Sequence, residues 1–373
     1  MKSRRNGFDQ LKPARRGKTG FRAGVSVFLL LSFLVLYCGP PAFRPARLSW
    51  QFWQMEEPSS LRGISAPSEL EAWVCGSGGF CVRTTDAGKH WRRLHIPGAD
   101  SLDFRDVHAF PGGVAYLMSA GEGSLGRVFK TRDGGATWET VLQNPHPEGF
   151  FSGMAFWDER RGMVLSDPVG GRFRIFRTDD GGMHWRESPA VGMPPAVGGE
   201  YAFAASGQCV AVFGKAAAVF VSGGARARIF FSPDGGVNWS VRPLPLRAGS
   251  PFAGAFATGW LNERTGIVVG GDYRSPAQPG STVAVTDAGW LTWRVPEGAK
   301  DMPYLSTVIG LPFRRSGLWF ASGPEGTFFT ADGGEHWRLL IRRGFHVLAA
   351  APQGHSGWAA GAKGAVARFV WKE

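Results

Sequence analysis

The chain has 373 residues, a formal net charge of +12, 54 Gly, 25 Pro and 4 Cys. An apolar share of 43% can build a core and excludes wholesale disorder, while Gly at roughly twice its usual share, with this much Pro, excludes a coiled coil or long-helix bundle. Four Cys exclude a disulfide-dense scaffold, and the basic balance raises a nucleic-acid reading that depends on where the charge sits.

Residues 1–23 carry Lys2, Arg4, Arg5, Lys12, Arg15, Arg16, Lys18 and Arg22 against Asp9 alone. An apolar run at 25–37 follows, then Cys38, Gly39 and two prolines. A basic start, a short apolar core and a Pro/Gly break read as a signal peptide or N-terminal membrane anchor over residues 1–38, with 39–46 as linker. The run is shorter than the ~20 residues that span a bilayer comfortably. Three fates are open. No A-x-A site marks ordinary cleavage. Val35-Leu36-Tyr37-Cys38 loosely follows a lipobox that would place a lipid on Cys38, with Tyr37 a poor residue at that point. An uncleaved anchor would keep its basic end in the cytoplasm. The arginine pairs Arg4-Arg5 and Arg15-Arg16 lack the full twin-arginine pattern. In each case the remainder is exported: periplasmic, extracellular or anchored to a membrane. This segment holds +7 of the +12, leaving +5 on residues 39–373, so no nucleic-acid partner is expected.

Downstream, one pattern recurs: [ST]-x-D-x-G-x-x-W. Asp86 with Trp91, Asp133 with Trp138, Asp180 with Trp185, Asp234 with Trp239 and Asp332 with Trp337 belong to full copies. A degenerate copy has Asp287, Trp293 one residue late, and Val285 where Ser or Thr should stand. The residue types suit a hairpin turn. Hydroxyl and carboxylate groups bond nearby backbone N–H groups, Gly takes conformations a Cβ opposes, and Trp opens the next strand over the turn. β-rich runs such as Phe173-Arg174-Ile175-Phe176 and Thr327-Phe328-Phe329 precede the boxes. The six aspartates are therefore read as structural.

These boxes resemble the Asp-box (bacterial neuraminidase) repeats of β-propellers, over roughly residues 60–370. The order of strand, Gly turn, strand and box is similar to the photosystem II stability/assembly factor-like branch, as in Ala72-Trp73-Val74-Cys75-Gly76 before Gly78-Gly79-Phe80. The resemblance implies an all-β fold with one four-stranded blade per box. The box aspartates lie 45 to 54 residues apart, which suits that unit. A seventh box would fall beyond the last residue, yet 344–371 still supplies three strands. Residues 48–54 are strand-like, so the expected fold is a seven-bladed β-propeller over 47–373. Its ring would be closed by the N-terminal strand pairing with the C-terminal blade.

The chemistry is sparse. No dinucleotide, haem, H-E-x-x-H, G-x-S-x-G or P-loop pattern occurs, so no cofactor and no metal are expected. A sialidase would need an arginine triad and a Tyr with a Glu partner; Glu200 and Tyr201 are neighbours and point to opposite faces of a strand. A glycosidase needs two carboxyls a few ångströms apart, for which Asp106, Asp167, Glu200 and Asp272 are candidates. Cys75 and Cys81 flank a Gly turn and form either a disulfide or two small buried thiols. Without a catalytic signature, binding at the channel mouth is the expectation. The partner would be an envelope protein or a glycan and the chain a monomer. Arg62, Arg105, Asp106, Asp167, Glu200, Asp272, Tyr273 and Arg274 are the partner-binding candidates.

Overall fold

The computed structural model describes residues 48–311, 317–352 and 355–371. The readings on Cys38 and residues 1–46 lie outside them. The described chain forms seven antiparallel sheets. Blade 1 is Leu61–Ser65, Ala72–Gly76, Cys81–Thr84 and Arg92–Arg93; blade 2 is Asp103–Ala109, Ala115–Ala120, Arg127–Thr131 and Glu139–Gln143. Blade 3 is Phe151–Phe156, Gly162–Val169, Arg172–Thr178 and Arg186–Glu187; blade 4 is Val210–Phe213, Ala217–Val221, Arg228–Ser232 and Ser240–Pro243. Blade 5 is built on Ala253–Trp260, Gly266–Asp272 and Val283–Thr286; blade 6 is Thr307–Leu311, Leu318–Gly323, Gly326–Thr330 and Arg338–Ile341. Blade 7 takes Val347–Ala350, Ser356–Ala360 and Ala365–Trp371 from one end of the chain and Leu48–Gln54 from the other. Leu48 pairs with Trp371 and Gln54 with Ala365. The first strands touch in blade order, and blade 7 touches blade 1, so the architecture is a seven-bladed propeller.

The repeated box is a hydrogen-bonded turn. Thr84 Oγ1 donates to Asp86 Oδ1 at 2.9 Å and accepts the Gly88 N–H at 2.9 Å, while Asp86 Oδ1 accepts the His90 N–H. The same pattern recurs at Thr131/Asp133, Thr178/Asp180, Ser232/Asp234 and Thr330/Asp332. Hydrogen bonds from the His90 backbone and ring hold the Asp86 carboxyl down at about 2. Gly88 sits at φ +86°, and a Cβ there would strike Trp53. Box tryptophans pack across the seams: Trp138 of blade 2 stands edge-on to Trp73 of blade 1, and Trp91 of blade 1 to Trp358 of blade 7. Each box thus closes its own hairpin and docks on the preceding blade.

The fifth copy departs from the pattern. Its hydroxyl comes from Thr286, which donates to the Gly289 carbonyl at 2.7 Å, and exposed Asp287 takes no part in the turn's hydrogen bonds. The fourth strand of blade 5 shrinks to one bridge, Val285 with Arg294. Trp293 still packs edge-on against Trp260. Cys75 and Cys81 face each other in register, and both are buried free thiols. Burial pushes the Cys81 thiol up to about 12.

Candidate functional site

The first strands of four blades carry a bulge near their start. The register shifts between Leu61 and Gly63, Phe104 and Asp106, Phe151 and Gly153, and Ala255 and Ala257. The skipped residues are Arg62, Arg105, Ser152 and Phe256. A bulge bends the strand and re-aims the extra side chain, and three of these four line a single cavity of about 650 Å³ at the channel mouth.

The connection between blades 3 and 4 crosses the channel beneath this cavity. Arg62 Nη1 donates to the Ala205 carbonyl at 3.3 Å and Arg105 Nη1 to the Ala204 carbonyl at 2.8 Å. Ala202 N–H donates to Asp167 Oδ1 at 2.9 Å, and Ser206 Oγ to the Ser306 carbonyl at 2.8 Å. Gln208 spans further, giving Nε2 to the Leu348 carbonyl and accepting Thr307 Oγ1 at 2.7 Å. Gly207, at φ +71°, lies so close to the Asp106 carboxyl that a Cβ would fall 2.3 Å from its carbon. Segment 202–208 is therefore a plug tied by these bonds to blades 1, 2, 3, 6 and 7, and the cavity is its outer surface.

The cavity has two halves. One is cationic. Arg105 is paired with Asp103 at 2.6 Å, whereas Arg62 has no carboxylate partner among the described residues. Burial, and then the neighbouring Arg105, lower the Arg62 pKa. His346 donates Nδ1–H to the Leu61 carbonyl at 3.1 Å, and burial holds its ring down at about 4, so it is neutral near pH 7. The other half is aromatic. Phe203 stacks on Phe256 with centroids 3.8 Å apart, and Tyr304 stands edge-on to Phe256. Tyr273, 45% exposed, forms the outer lip, and Arg274 lies 4.3 Å over the Phe252 ring.

Of the eight partner-binding candidates, Arg62, Arg105, Asp167 and Tyr273 line this cavity. Asp106 lies below the plug, accepting the Met154 N–H at 2.9 Å, with its carboxyl pushed up to about 7 by burial. Glu200 is buried in a pair with Arg228, also accepts Ser222 Oγ and the Val197 N–H, and braces the ridge beside the mouth. Asp272 caps a turn by accepting the Arg274 N–H at 2.9 Å. The four carboxylates therefore do not assemble: Asp167 is the cavity's single acid among the described residues, pushed up to about 7 by burial. Phe203, Phe256, Tyr304, Ser306 and His346 were not singled out from the sequence. For all but Phe203, which lies in the irregular plug, the signal was a position just before or within a first strand, which needs the blades superposed to be seen.

Among the described residues, no group of three or more His, Cys, Asp or Glu could hold a metal ion, and no helix is long and apolar enough to cross a membrane.

No family model matches the chain. A stretch of 93 residues is 33% identical to the photosystem II assembly lipoprotein Ycf48 of Synechococcus sp. (strain CC9902). That stretch covers 24% of this chain and only 26% of that protein. Among solved structures, Ycf48 bound to a D1 peptide superposes with a TM-score of 0.62 at 15% identity, covering 89% of this chain and 98% of that one. Ycf48 from Cyanidioschyzon merolae gives 0.62 at 16% identity, covering 86% and 98%. The WD40 propeller domain of Doa1 gives 0.58 at 11%, covering 87% and 98%. These structural likenesses establish the propeller fold. With the partial sequence match, they make the chain similar to photosystem II assembly factor-like propellers.

Proposed function

We propose that this chain is a non-catalytic binding and assembly scaffold that grips a segment of a protein partner in the channel mouth. In this reading it is exported, acts in the bacterial envelope as a monomer, and is held near a membrane by residues 1–38. The observation that carries it is Arg62: a largely buried guanidinium without a carboxylate partner, facing an open cavity whose opposite wall is aromatic. Such a site suits a peptide that brings an acceptor-rich or acidic group beside an apolar side chain. The solved complex of Ycf48 with a D1 peptide supports peptide binding by a propeller of this fold.

Capture from detergent-solubilised membranes tests the reading. A partner retained by the wild-type chain and lost when Arg62 and Arg105 become Glu is the expected result. Retention by the double variant would overturn it. The second reading, a glycan-active hydrolase, rests on the raised carboxyl of Asp167 at the mouth. A panel of chromogenic glycosides separates the two. No turnover is expected, whereas turnover abolished in Asp167→Asn would replace the scaffold reading.

A further inference from the structure

Superposing the blades by register exposes an irregularity on the opposite face. In blades 1 to 5 the turns after strands one and three lie on the face away from the mouth. Three positions meet beside the box there: the residue before the second strand, the one before the box hydroxyl, and its partner on the fourth strand. Blade 1 has Glu71, Arg83 and Arg92 at these places, and blade 2 has Val114, Lys130 and Glu139. Blade 3 has Arg161, Arg177 and Arg186.

In blades 1 and 2 the cations are neutralised or used. Arg83 is paired with Glu71 at 2.8 Å and donates to the Gly134 carbonyl in the next blade's box. Lys130 lies opposite Glu139 and donates to the Gly181 carbonyl. Blade 3 departs at two of the three positions. Arg177 and Arg186 lie directly opposite each other, as Arg83 and Arg92 do in blade 1, but neither has a carboxylate partner among the described residues to offset the unfavourable like charges. Arg177 gives Nε to Ser188 Oγ at 2.7 Å, but its terminal nitrogens do not reach the box of blade 4. Arg161 is neutralised by Asp158 and ties down the Lys215 carbonyl at 2.8 Å.

The result is a half-enclosed notch of about 140 Å³ between blades 3 and 4. Arg177, Arg186 and Lys215 line it without ion pairs among the described residues, against the exposed Asp179 on its rim. Trp157 forms a wall, its indole N–H fixed on the Ala217 carbonyl at 3.0 Å. The volume holds several water-sized groups and no drug-sized ligand. Three cations from three chain segments, one of them a fork with free terminal nitrogens, fit a multi-oxygen anion better than a single carboxylate.

We propose that this notch is an oxyanion site for a phosphoryl group, held by Arg177, Arg186 and Lys215 on the face opposite the mouth. The group belongs either to free phosphate or to a phospholipid headgroup. The test uses the full chain and titrates inorganic phosphate against chloride at matched ionic strength, read by calorimetry. Saturable phosphate binding is expected, at least tenfold weaker in Arg186→Gln and Lys215→Gln and unchanged in Lys89→Gln, an exposed cation in the box of blade 1. Both substituted residues are exposed, so these variants keep the fold. Vesicles then assign the source. If wild-type preference for phosphatidylglycerol over phosphatidylcholine vesicles drops in Arg186→Gln, the group is a headgroup; if that preference is unchanged while phosphate binding drops, it is free phosphate. No phosphate binding beyond chloride, or equal binding by wild type and both variants, overturns the proposal.

Discussion

Replacing Asp106 by Asn should change how stability depends on pH. The carboxyl is buried under the plug and accepts the Met154 and Val107 N–H groups, yet desolvation raises it from 3.8 to about 7. Below pH 3.8 it is protonated in both folded and unfolded chains. Between there and about 7 only the unfolded chain releases the proton, so stability falls as pH rises and levels off above 7. At ~1.4 kcal/mol per pH unit, the loss is ~4 kcal/mol. Asn keeps one acceptor for the backbone and never ionises. The melting temperature of Asp106→Asn relative to wild type should therefore rise by roughly 5–10 °C between pH 4 and pH 7.5. Buried His108 and His346, both held down at about 4, act in the opposite sense but cancel in the difference. Thermal denaturation of both proteins across that range provides the measurement. Parallel curves would refute the idea that Asp106 is a desolvated carboxyl.

Thr84→Ala removes the hydrogen bonds of one box hydroxyl and should cost ~1–3 kcal/mol in denaturant titration, whereas Asp287→Ala should stay within ~0.5 kcal/mol because Asp287 makes no turn bond. Glu200→Ala leaves Arg228 without its buried partner and should cost ~3–5 kcal/mol by the same titration. Deleting residues 48–54 strips the strand paired with Ala365–Trp371 and uncovers a long edge, so light scattering should report aggregation at concentrations where the full chain stays clear.

The boxes were legible because each is local: hydroxyl, carboxylate and glycine lie within five residues and satisfy one another. The missing fourth strand of the last blade was legible too, since 48–54 alternates like a strand and had no other partner. The shifted hydroxyl of the fifth copy was not, because Thr286 replaces a position the pattern assigns to Val285 and only the hydrogen bonds reveal it. The mouth was half legible. Arg62 and Arg105 are readable as charges on expected first strands, but the bulges that aim them inward depend on pairing register. The plug was illegible, since 202–208 is an irregular segment whose partners lie up to 143 residues away. Glu200 looked like a site residue because its neutraliser, Arg228, arrives from a different hairpin. The blade 3 arginines stayed hidden because surface arginines are common, and their clustering requires three strands to be aligned.

The central claim is that the mouth holds a partner segment through Arg62 and its aromatic wall. A photoreactive phenylalanine analogue in place of Tyr273, on the lip of the cavity, tests it in the full chain within intact membranes. Irradiation should give a discrete adduct with another protein that disappears when Arg62 is changed to Glu. An adduct of equal yield in the Arg62→Glu background, or none at the lip at all, would contradict the account.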